Sequence, residues 1–313
     1  MIKEEILMLK RDDPGYPPKM KELTGMPQTL YALGELPDPL KPSVGIVGAR
    51  MCSAYGRKTA YEFGKILAEN GVQVISGMAA GIDGSAQEGA LDGGGKSFAV
   101  LGSGVDVCYP RGNTTLYNRL KHAGGILSEH PAGTAPLPYH FPSRNRIISA
   151  LSDIVLVVEA KSESGSLITV DFALAQGRTV FAVPGRVGDA LSDGCNWLIA
   201  QGAGIAYAPE AVLSELLIGL GTSAYFESRI KKARLRHLSE KRVKHAASLS
   251  EEARKVYEAL SFEDPVYPDA IALKTLIDIS AVRASLQELA GAGFVEEPER
   301  DSFLRRCPDT EEP

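Results

Sequence analysis

The chain has 313 residues, 44% of them hydrophobic and 23% charged, with a formal net charge of −5 at pH 7. That length exceeds one minimal core and suits a large domain plus a small one, and the balance excludes a wholly disordered or fibrous chain. The negative total argues against a uniformly basic, phosphate-coating protein, so any polyanion site has to be local.

Residues 1–40 begin MIKEEILMLKRDD, which is too charged and too briefly apolar for a signal peptide. Pro14, Gly15, Pro17, Pro18, Gly25, Pro27, Gly34, Pro37 and Pro39 then break any long periodic element. The segment reads as a short lead-in packed on the main domain. No apolar run in the chain approaches the roughly 18 residues of a membrane span, so a cytoplasmic protein without membrane contact is expected.

Residues 41–222 read as one α/β domain. Short apolar, β-branched runs at Val44–Val47, Val72–Ser76, Ser97–Leu101, Gly125–Ser128, Ile154–Glu159 and Thr179–Val183 predict strands, with a further one at Gly204–Tyr207. Helical patterns alternate with them, at Tyr55–Asn70, Ser166–Gln176 and residues 208–220. Right-handed crossovers of this length place helices on both faces of a parallel sheet. The predicted fold is therefore a doubly wound, mostly parallel, Rossmann-like α/β sheet.

Residues 223–248 read as a basic linker, in which Arg229, Lys231, Lys232, Arg234, Arg236, Lys241, Arg242 and Lys244 face the single acid Glu240. A solvated charged face and a polyanion contact both account for that run. Residues 249–305 predict helices at Ser250–Leu260, Pro268–Ile277 and Ser280–Ala290, then FVEE turning back at FLRR, a pattern that suggests a small winged-helix domain before the tail 306–313. Its third helix, with Arg283 and Gln287, is only weakly basic, so a protein-contact role is expected over duplex reading.

The strand-to-helix junctions carry the site. GIVGAR places Gly48 and Arg50 after the first parallel strand; SGMAAGID, with Gly77 and Gly81, and LGSGVD follow the next two. Small residues there suit tight turns and also uncover backbone N–H groups near helix N-termini, where phosphates bind. In a parallel sheet all three junctions emerge at one edge, and together they favour an anion-binding crevice. FPSRNRIIS adds Phe141, Arg144, Asn145 and Arg146; SESGSLIT adds Ser164, Gly165 and Ser166; Arg111 adds a cation on the same rim. A row of dipoles and arginines suits a multi-phosphate backbone. Core packing and base stacking account equally for Phe141, whereas packing is the simpler reading of Tyr109 and Tyr139. Asp83 reads as a helix cap. Cys52, Cys108, Cys195 and Cys307 form no CxxC pair, and the five histidines lack metal-ligand spacing, so no metal or cofactor is expected.

The segments VGAR, SGMAAGID, LGSGVDVCYP, HFPSRNRIIS, VVEAKSESGSLIT, ALAQGR and VFAVPG, in this order over residues 40–207, resemble the DNA-processing protein A family (DprA/Smf). The resemblance implies a non-catalytic protein of natural transformation that binds single-stranded DNA, protects incoming strands and helps load the RecA recombinase, usually as a homodimer. It maps phosphate contacts onto Arg50, Arg111, Arg144 and the Gly165–Ser166 turn. Gln87 stands where the family usually has histidine, and no counterpart of the longer N-terminal helical domain of many members is expected. The rival is a nucleoside-monophosphate phosphoribohydrolase of the lysine-decarboxylase-like superfamily. Its acid would fall at Ile168 or Thr169, and neither can activate water. Substituting Arg50 or Arg144 by alanine is expected to weaken single-strand binding while leaving the fold intact.

Overall fold

The computed structural model describes residues 5–219, 249–260, 265–292, 294–299 and 301–305. They form two compact units, one holding the described residues through Gly219 and the other those from Leu249 onward. The predicted basic linker lies outside the described residues, as do Cys307 and the tail.

The larger unit is built on one nine-stranded sheet. Its strands are β1 (Leu7–Lys10), β2 (Thr29–Gly34), β3 (Ser43–Val47), β4 (Gln73–Ser76), β5 (Ser97–Leu101), β6 (Gly124–Ser128), β7 (Ile154–Val157), β8 (Thr179–Ala182) and β9 (Gly204–Ile205). They lie in the order β1-β2-β6-β5-β4-β3-β7-β8-β9. From β6 to β9 every neighbouring pair is parallel. The chain therefore steps outward from β3 through β4, β5 and β6, returns to β7 on the other side of β3, and steps outward again. The β3–β7 boundary is the point where the winding reverses, and crevices form there at the carboxyl ends of the strands.

Helices cover both faces: α1 (Pro18–Lys21), α2 (Ala54–Glu69), α3 (Ile82–Asp92), α4 (Thr114–His122), α5 (His140–Leu151), α6 (Leu167–Ala175), α7 (Asp193–Ala200) and α8 (Pro209–Gly219). Alternation along the central strands sorts the core. Val47, Val155 and Val157 pack under α5 to α7, while Val44, Ile46, Ile154 and Leu156 pack under α2, α3 and α8. Strands covered on both faces read as near-continuous apolar runs, and β3, β4 and β7 are buried throughout, with the polar Ser43, Gln73 and Ser76 confined to strand ends and hydrogen-bonded there.

The lead-in is more than a packed segment. Strands β1 and β2 extend the sheet antiparallel, with Ala32 opposite Leu127 on β6 and Leu9 opposite Leu30. Leu9, Leu30 and Ala32 join the core, and Tyr16 donates its hydroxyl to Pro27 O at 2.8 Å within the connection. LMLK is four residues without polar alternation, so the pattern carries no strand signal until a sheet edge supplies hydrogen-bond partners.

The smaller unit contains α9 (Glu251–Ala259), α10 (Pro268–Thr275), α11 (Ile279–Gly291) and a hairpin of β10 (Val295–Glu299) and β11 (Ser302–Arg305). Val256, Ile271, Val282, Leu286, Leu289 and Phe294 form its core. Ser250 Oγ accepts from Ala253 N at 3.1 Å and Asp278 Oδ1 from Ser280 N at 2.9 Å, which caps α9 and α11. Among the described residues of the chain, no helix is long and apolar enough to cross a membrane.

Arg146, on α5, makes a bidentate pair with Glu129 just after β6, at 2.8 and 2.7 Å, and reaches Gly25 O in the lead-in at 2.8 Å. Burial works to raise the Glu129 carboxyl, but the hydrogen bonds and charge of Arg146 outweigh it and hold the group below its ordinary 4.5. A depressed carboxyl stabilises the fold above its unfolded pKa and loses that contribution as pH falls through the lower folded value. Glu129→Gln is expected to cost about 3 kcal/mol at pH 7, a cost that shrinks as the pH is lowered below about 4, as read from urea midpoints at both pH values.

Candidate nucleic-acid interface

At the β3–β7 reversal a crevice of about 940 Å³ opens over the carboxyl ends of the strands. Its walls come from the junctions after six parallel strands: Gly48–Met51 after β3, Ala79 and Asp83 after β4, Tyr109 after β5, Pro138 after β6, residues between Lys161 and Thr169 after β7, and Ala190–Leu191 after β8. Phe141, Arg144 and Asn145 on α5 complete it. Arg50, Arg144 and Gly165 thus share one site, as the pattern of junctions predicts for a single sheet edge.

Arg50 is exposed, and its guanidinium lies 5.2 Å from the centroid of the Phe141 ring. Tyr109 stands 5.4 Å from the same ring. The crevice therefore holds a cation on an aromatic face, chemistry suited to a phosphate and a base side by side. Lys161 is a second exposed cation on the lining that the sequence pattern did not single out. Gly165 is exposed with open space on its Cα face, and Ser164 Oγ lies 2.8 Å from Ser166 Oγ at the start of α6. Amides of such a turn meet an anion directly.

The other glycines serve packing. A side chain on Gly48 would meet Ile82 at 2.7 Å and Glu159 O at 2.8 Å. One on Gly77 would run into the Arg144 guanidinium, and one on Gly81, where φ is +82°, into the Ala49 and Arg50 carbonyls. Gly77 and Gly81 lie behind the crevice wall and are absent from its lining. Their smallness lets the β4 junction lie against the β3 junction, with Ile82 N donating to Ala49 O at 3.2 Å.

FPSRNR lies on α5, so Arg144, Asn145 and Arg146 point about 100° apart instead of along one loop. Arg144 turns inward and is 4% exposed. Its Nη1 donates to Gly77 O at 2.8 Å and to Val100 O, and its Nε donates to Asn145 Oδ1 at 3.0 Å. Burial presses the guanidinium down to about 10 against the pull of Asp83. Burial likewise raises the Asp83 carboxyl, opposed by Arg144 and by the Gly77 N–H, which donates to Asp83 Oδ2 at 3.1 Å. Asp83 therefore ties down the β4 junction from the first turn of α3, whose N-cap is Gly81. Asn145 faces the crevice, its Nδ2 3.4 Å from Gly165 O, while Arg146 leaves for Glu129. Arg111 sits in a short 3₁₀ turn (Arg111–Asn113), exposed and outside the lining. Among the described residues, no cluster of three His, Cys, Asp or Glu is arranged to hold a metal.

A family model described as DNA recombination-mediator protein A matches residues 7–217. Protein Smf of Escherichia coli is 45% identical over 214 residues, covering 68% of this chain and 57% of that protein. DNA processing protein DprA of Streptococcus pneumoniae is 45% identical over 204 residues, covering 65% of this chain and 72% of that protein. The chain thus spans little more than half the length of the Escherichia coli relative. Among solved structures, DprA of Streptococcus pneumoniae superposes with a TM-score of 0.64 at 40% identity, over 68% of this chain and 75% of that one. DNA processing protein A of Helicobacter pylori, studied for its single-stranded DNA binding mode, gives 0.61 at 29% identity, over 69% and 97%.

The two arginines at the crevice should behave differently on substitution. Arg144→Ala strands two carbonyls and the Asp83 carboxyl in the interior, and is expected to lower unfolding free energy by about 3 kcal/mol or more. Arg50→Ala should stay within about 0.5 kcal/mol. Parallel urea titrations check the difference; the expectation that both changes spare the fold is revised for Arg144 because its guanidinium is buried and hydrogen-bonded.

Proposed function

The chain belongs to the DNA recombination-mediator protein A family, and on that footing we propose that it is a non-catalytic protein that holds single-stranded DNA in the crevice at the β3–β7 reversal. One observation carries the reading: Arg50, Lys161, Asn145 and the open Gly165–Ser166 turn line one trough, with Phe141 beneath the Arg50 guanidinium. Phosphates of a flexible strand meet the cations and amides, and a base meets the ring, without any base-specific pattern. The related Helicobacter pylori protein, studied for its own single-stranded DNA binding mode, supports the choice of single-stranded DNA as ligand. We extend the reading, on family membership, to protection of incoming strands, assistance to the RecA recombinase and action as a homodimer.

The phosphoribohydrolase reading is weaker on residue roles. Ile168 and Thr169 stand where its acid would be, and the Asp83 carboxylate is buried and engaged with the Gly77 N–H. We read the smaller unit as a winged helix with an accessory role. Arg283 on α11 is held by Asp301 at 3.0 and 3.2 Å, which removes a free cation from the helix that would enter a duplex groove.

Arg50→Ala is expected to weaken binding of a fluorescent oligothymidine about tenfold and to reduce the slope of log affinity against log salt by about 0.7. Anisotropy titrations at several salt concentrations read both quantities. Unchanged affinity and slope would remove Arg50 from the site, and release of base from a nucleoside monophosphate by the same preparation would favour the hydrolase.

A further inference from the structure

Arg50 and Met51 project from a short junction whose two ends are held by one residue just beyond the neighbouring strand. Glu159 follows β7 and is 4% exposed. Its carbonyl accepts from Ala49 N at 2.7 Å, immediately before Arg50. Its carboxylate accepts from Ser53 N at 2.8 Å and Ser53 Oγ at 2.5 Å, immediately before α2 begins. Ser53 Oγ in turn accepts from Gly56 N at 2.9 Å, so the same contact caps the helix. Between the pins the chain faces solvent, with Met51 86% exposed.

The surroundings are shaped to admit this carboxylate. A side chain at position 56 would collide with the Glu159 carboxyl group, and one at position 48 with its carbonyl. Glu159 itself is absent from the crevice lining, so it does not reach a bound strand. An acid buried behind an anion site opposes anion binding through its charge, and this one sits where it spans Ala49 to Ser53. Two further residues along the chain, Lys161 begins the opposite wall.

We propose that Glu159 is a positioning residue of the crevice: by fastening the β3 junction at Ala49 and Ser53 it holds Arg50 over Phe141 before any strand arrives. The proposal rests on the single-strand-binding reading above. Its physical content is preorganisation. A junction released from one or both pins leaves Arg50 to be ordered at the moment of binding, and that cost appears as lost affinity.

A double-mutant cycle with the whole chain tests this, using anisotropy of a fluorescent oligothymidine at several salt concentrations. Glu159→Ala is expected to weaken binding about five- to tenfold and to lower the salt slope as Arg50→Ala does. In an Arg50→Ala background it should have no further effect. Glu159→Gln, which keeps an acceptor for Ser53 N, should recover most of the affinity. Should Glu159→Ala fail to fold, Ser53→Ala removes the hydroxyl, with its contact to Glu159 and its cap on Gly56 N, keeps the Ser53 N–H pin, and enters the same cycle with a smaller expected loss. Additive losses, or equal losses for the alanine and glutamine variants, overturn the positioning role while leaving the site in place. If Arg50→Ala is itself silent although the protein binds, the site reading fails and the positioning role falls with it.

Discussion

The reversal of winding at β3 governs where chemistry can occur in this chain. Two crossovers leave neighbouring parallel strands in opposite directions, one into α2 and the other toward α6, and the space between their first turns cannot be filled by either helix. The protein lines that space with whatever the flanking junctions can carry: a cation after β3, a Ser-Gly-Ser turn after β7, an aromatic ring and an amide from α5.

Helix α5 divides labour among three adjacent residues. Arg144 is spent inside, where its charge is matched by carbonyls and by Asp83; Asn145 serves the crevice; Arg146 anchors the helix to Glu129 and to the lead-in. The interior arginine is more than filler. It hydrogen-bonds the carbonyl at Gly77 and orients the Asn145 amide through its Nε, so the β4 junction and the crevice-facing amide share one buried cation. Removing solvent from that cation strengthens each of its hydrogen bonds and also makes each indispensable.

The parallel strands were legible because burial on both faces leaves continuous β-branched runs, and the observed β3 to β9 fall within or nearly on the predicted stretches. The antiparallel pair at the start was not, since β1 is ordered by its neighbour and LMLK carries no period of its own. For the site, the sheet edge was legible from the junction glycines, but the directions of side chains were not. Arg144, Asn145 and Arg146 read alike until a helix separates them. Gly77 and Gly81 read like phosphate loops, whereas what presses against them is protein. Glu159 passed as the polar end of a strand; an acid closing the otherwise apolar run IVLVV was the one available hint.

The sheet's flanks have a consequence of their own. At one margin β1 pairs over four residues, and at the other β9 meets β8 over only two. Strand margins are templates for stacking further chains, and their danger grows with length and regularity. A wide sheet bounded by such short selvedges offers little purchase for runaway association.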